Sequence, residues 1–221
     1  MTTIKTIRHG EFQVVASDRA LDMNFAQKMG KALWAPMLII GVMAFPVAFI
    51  LGAVRAGLVA NGTTVQQAAT AAALGQYVPA VMFIGFMSVF AGIVFAIARI
   101  LGILRTGGGR VQQTAGRQVL SYRMPVTAWG MILLMMMGMM MLLFAVIVHF
   151  VLGAIAYDAV VQGNQATIGT VDTWATWIEG LRRFGVATYL GSIALGLATI
   201  IQVLRFQSAR VHELAQEGKV L

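Results

Sequence analysis

Four apolar runs, Trp34 to Val54, Pro79 to Leu104, Val126 to Ala156 and Phe184 to Leu204, leave this chain little choice of fold. A bilayer's hydrocarbon core is about 30 Å thick and a helix rises about 1.5 Å per residue, so about 20 apolar residues cross it. Each run is long enough. Charged residues are only 11% of the chain, against about a quarter in a soluble domain. The pattern predicts an all-α integral membrane protein, a four-transmembrane-helix bundle. Its parts are an N-terminal segment 1–33, a transmembrane domain 34–206 with spans at about 34–56, 78–105, 126–157 and 184–206, and a tail 207–221.

Charge orients the spans. Lys5, Arg8, Arg19, Lys28 and Lys31 precede span one, Arg99 closes span two, Arg105, Arg110, Arg117 and Arg123 fill the next loop, and Arg205, Arg210 and Lys219 follow span four; they are thirteen of the sixteen basic residues, and the other two loops hold only Arg55, Arg182 and Arg183. Basic residues near span ends stay in the cytoplasm, which places both termini inside. The net charge of +8 is thereby read as a surface for anionic headgroups and not for nucleic acid. Residues 1–18 lack an apolar core, so the first span is expected to insert without cleavage. With no cysteine, thiol redox chemistry and thiolate metal sites are excluded. A prokaryotic inner membrane is the expected location.

Between the spans, the sequence suggests several local features. Leu21, Phe25, Met29 and Leu33 recur every four residues within 18–33, as in an amphipathic N-terminal interfacial helix capped by Ser17 or Asp18. Pro46 falls in the middle of span one, where a kink is expected. Ala44, Ala48, Gly52 and Ala56 on span one, and Thr188, Ser192 and Gly196 on span four, form stripes for close helix approach. Gly107–Gly109 reads as a breaker ending span two, and Val171–Trp177 as a short helix on the outer surface. Spans two and four align at an offset of 106, pairing Gly85 with Gly191 and Arg99 with Arg205, which suggests two pseudo-repeated hairpins.

Chemistry is sparse. Arg55, Arg99 and Arg205 stand near span ends, and no Ser/His/Asp set, carboxylate pair or HExxH occurs, so no catalytic residues are expected. Span three, WGMILLMMMGMMMLLFAVIVHF, is rich in methionine, with Met131, Met135 and Met139 four apart, as are Met137 and Met141. Thioethers suit Cu(I), and His149 could serve as a separate site beyond them. The MxxxM spacing resembles the copper-uptake transporter family over these few residues, without that family's three-span layout or Met-rich outer terminus. Methionine is also a flexible apolar filler. Haem in a membrane usually needs two histidines at one depth, and His9 and His212 lie outside the spans.

The sequence thus predicts a non-catalytic membrane subunit that supports assembly or stability of a larger complex, with a respiratory or membrane oxidoreductase or monooxygenase complex as the class in view. The alternative is a Cu(I) or other soft-metal transporter or chaperone using the third helix. No cofactor is expected in the first reading, and copper in the second. Partners are the bilayer, bound lipid and other membrane subunits, in homo- or hetero-oligomers.

Overall fold

A computed structural model describes residues 6–9, 11–16 and 21–216. The elements in order are β1 (Thr6–His9), β2 (Phe12–Ala16), α1 (Phe25–Asn61), α2 (Val65–Thr114), β3 (Leu120–Tyr122), α3 (Val126–Val161) and α4 (Gln165–Gln216). All four helices are long and apolar enough to cross a membrane. The chain is an all-α, multi-pass membrane protein with a small sheet added.

Local chemistry sets the helix ends. Asn24 and Gln27 form a reciprocal capping box at the start of α1, each side chain accepting from the other's backbone N–H at 2.9–3.0 Å. Thr64 and Gln67 do the same for α2, and Asn164 Oδ1 accepts from the Thr167 N–H at α4. Gly116 and Gly163 have φ of 65° and 67°. Each closes a Schellman turn: Arg117 N–H reaches Gln112 O at 3.0 Å, and Asn164 N–H reaches Ala159 O at 2.9 Å.

These caps make the helices longer than hydropathy indicates. α1 starts at Phe25 and runs without a break through Pro36 and Pro46, so residues 25–33 are its first turns and not a separate interfacial helix. Their packing face is Gln27 and Gly30, both buried, rather than the Phe25/Met29/Leu33 row. Ser17 and Asp18 lie outside the described residues. The triple glycine is no breaker either, because α2 continues through it to Thr114. A Cβ at Gly108 would overlap the Gln207 side chain, which donates to Leu104 O at 3.4 Å. Glycine there admits a neighbouring helix. Val171–Trp177 belongs to the unbroken α4.

The described residues divide into two compact units. The first holds those up to Trp34, 93–133 and those from Ser192 on; the second holds 35–92 and 134–191. Four helices pack in each.

In the first unit β2 pairs antiparallel with β1 and β3, in the order β1-β2-β3. Phe12 and Tyr122 bring their rings within 5.5 and 5.7 Å of the fully buried Phe206 on α4. Gln112, 1% exposed, behaves as a further strand. Its Oε1 accepts from Leu120 N–H at 2.9 Å and its Nε2 donates to Leu120 O at 3.0 Å. Gln112→Ala should strip both partners from β3 and cost about 2 kcal/mol, the range for orphaned backbone groups. Thermal unfolding and hydrogen exchange at residues 120–122 would measure it. Ser192 donates to Met131 O at 2.8 Å, and Thr127 links Thr199 and Gln202 at 2.9 and 3.2 Å. Of the polar members of the span-four stripe, Ser192 therefore bonds a neighbouring helix, whereas Thr188 donates to Phe184 O on its own helix at 2.8 Å.

The second unit buries Ala145, Leu152, Ala156, Val171 and Ile178, with Ala72 and Val148 packed on them. Phe45, Phe83, Phe86, Phe90 and Tyr189 form a run of ring contacts at 5.1–6.0 Å.

The hairpin α1–α2 and the hairpin α3–α4 share one plan. Their helices have 37 and 50 residues in one, 36 and 52 in the other, and three residues, 62–64 or 162–164, join each pair. A Cβ at Gly30 would press on the backbone of Phe95, and one at Gly130 on Leu195; Gly85 lies against Gly41, and Gly185 against Met141. Equivalent contacts are therefore 100 residues apart, so Gly85 corresponds to Gly185 and not to Gly191. Apolar sequences match one another at several nearby offsets, and the packed contacts decide among them.

Candidate functional site

Along each helix, polar groups bracket an apolar stretch of one length. Trp34 to Arg55 is 21 positions, Gln76 to Arg99 is 23, Thr127 to His149 is 22 and Arg182 to Arg205 is 23. At about 1.5 Å per residue these stretches measure about 31–35 Å, close to a hydrocarbon core. Arg99 lies over the Trp34 ring, 5.2 Å from its centroid, an arrangement suited to a headgroup boundary.

A buried polar cluster occupies the level of Gln76, His149 and Arg182 in the second unit, and the sequence did not predict it. His149 is 2% and Arg182 8% exposed. Arg182 Nη1 is 3.0 Å from His149 Nε2, and His149 Nδ1 is 2.9 Å from Gln76 Oε1. Arginine can only donate, so Nε2 accepts and the ring proton sits on Nδ1, which donates to Gln76. Glu179, one turn before Arg182, pairs with both Arg182 and Arg183, the latter at 2.8 Å. Among the described residues the Arg182 Nε has no hydrogen-bond acceptor, and the guanidinium lies 4.6 Å over the Phe83 ring. Three helices are joined by one charge held by a carboxylate, an imidazole and an aromatic face.

Arg182, counted with an outer loop, is on α4 and buried, and both His149 ring nitrogens meet side chains. Glu179 three and four residues before Arg182 and Arg183 is the helix-pair spacing that could have revealed it.

The methionines of α3 differ in exposure. Met131 is buried, with its Sδ 2.9 Å from where a Gly196 Cβ would be. Met135 and Met141 are half-buried, whereas Met137 and Met139 are 40% and 38% exposed. Among the described residues no three of His, Cys, Asp and Glu come together as metal ligands. No protein-family model, curated protein or solved structure matches this chain.

Proposed function

We propose that the chain is a non-catalytic subunit of a larger membrane assembly, with both termini in the cytoplasm of a prokaryotic cell. One observation carries this reading: only 11% of the apolar window of α1 is buried within the chain, against 39%, 28% and 33% for the other helices. Met43, Val47, Ile50 and Val54 are 47–60% exposed and follow helical spacing, so they form one continuous apolar stripe. The cluster of Gln76, His149, Glu179 and Arg182 meanwhile bonds within itself, which suits a scaffold better than a conduit. The positive-inside pattern supports the orientation.

The test is extraction in mild detergent with benzoylphenylalanine at Ile50. The expected product is a particle larger than one chain, with other membrane subunits in fixed stoichiometry and a discrete protein adduct at Ile50 that is absent from Phe144 of α3. A single-chain particle labelling only lipid would reject the proposal. The Cu(I) alternative has less behind it, because Arg182 occupies the His149 lone pair and the methionines range from buried to exposed along α3.

A further inference from the structure

An open groove of about 380 Å³ lies at the turn end of the first hairpin, lined by Gly52, Arg55, Ala56, Val59 and Ala60 of α1 and Val78 of α2. Its only charge is Arg55. Gly75 makes room for that side chain: a Cβ there would stand 3.3–3.4 Å from the guanidinium Nη2, Cζ and Nε. A bare α-carbon thus lets the planar group rest against α2. Neither α1 nor α2 contains an aspartate or glutamate. The carboxylate of Glu179 is already taken by Arg182 and Arg183. Among the described residues, Arg55 has no ion pair.

Arg55 lies 21 residues beyond Trp34, about one hydrocarbon thickness along the helix. A guanidinium at that depth meets phosphodiester groups, whose oxygens match its fork of donors. Beside it, Gly52, Ala56 and Val78 offer a smooth apolar wall leading toward the hydrocarbon. The groove lacks any carboxylate for the ammonium of a choline headgroup, so its charge complements an anionic headgroup.

We propose that this groove binds one anionic phospholipid, with the phosphodiester on Arg55 and an acyl chain passing Gly52 and Val78.

Native mass spectrometry of the purified full chain, titrated with phosphatidylglycerol, phosphatidylcholine or inorganic phosphate, tests this. One phosphatidylglycerol should be retained, and Arg55→Gln should weaken it about tenfold, as expected for loss of a charge-assisted pair. Val78→Trp, which fills the groove but keeps the charge, should weaken it similarly, Arg55→Lys by less, and Arg99→Gln not at all. Unaltered retention in Arg55→Gln would overturn the proposal, as would equal affinity for phosphatidylcholine. Displacement of the lipid by equimolar inorganic phosphate would also overturn it, since the site would then recognise a free anion. Should Val78→Trp fail to fold, the Gln and Lys variants at Arg55 decide alone.

Discussion

Glu179→Ala should destabilise the protein by about 2–3 kcal/mol, although its carboxylate is itself partly open to solvent. Breaking a buried ion pair by removing one partner typically costs about 3–5 kcal/mol, because the other charge stays buried without compensation. Here the stranded charge is Arg182, with a side chain 10% exposed; the Glu179 side chain is 38% exposed, and solvent screening of that carboxylate lowers the cost. His149 cannot take over, because it offers Arg182 only a neutral lone pair. Unfolding by a graded denaturing detergent would measure the loss. Replacing Gln76, His149, Glu179 and Arg182 together by leucine or methionine should cost much less, since no polar group is then left orphaned. If the single variant is as stable as the parent, the cluster does not hold these helices together.

Gly41→Leu should be at least as damaging, for a different reason. Even a Cβ at Gly41 would stand 2.6 Å from Val89 Cγ2, 2.7 Å from Val89 N and 2.9 Å from Gly85 O. Two of those atoms belong to the backbone and cannot swing aside, so α1 and α2 must separate. Overpacking costs about 1–3 kcal/mol, and leucine should reach the upper end. Gly57, on the same helix, has nothing within 4 Å of its Cβ position. Gly57→Ala should therefore be neutral or gain up to about 1 kcal/mol from helix propensity. Paired measurements at the two glycines separate close approach from propensity. Equal effects at both would contradict the packing described.

Hydropathy found the four spans because lipid contact demands apolar residues, but it reports where a helix meets lipid, not where it ends. The ends are set by the Asn24–Gln27 and Thr64–Gln67 boxes and the turns at Gly116 and Gly163, whose residues are polar or small. The same limit explains the triple glycine: its meaning depends on Gln207, a hundred residues away. The β1–β2 hairpin was not read from the sequence, although Thr6–His9 and Phe12–Ala16 flank Gly10-Glu11 at hairpin spacing. β3 could not be, because three residues hold as a strand only beside β2 and Gln112. Arg182 was misplaced because charge counting treats an arginine near a span as solvated, whereas its i−3 carboxylate and the imidazole from α3 permit burial.

The offset of 100 between the hairpins also gives the methionine-rich helix a counterpart within the same chain. Met137, Met139 and Met140 stand where the first hairpin has Met37, Ile39 and Ile40. Ile39 and Ile40 are 64% and 50% exposed, Met139 and Met140 38% and 62%. One copy presents stiff, branched side chains at these positions and the other presents unbranched thioethers that rotate freely. At these positions α3 therefore presents a deformable version of the surface that α1 presents in rigid form. There the outward faces of the two hairpins differ more in compliance than in chemistry.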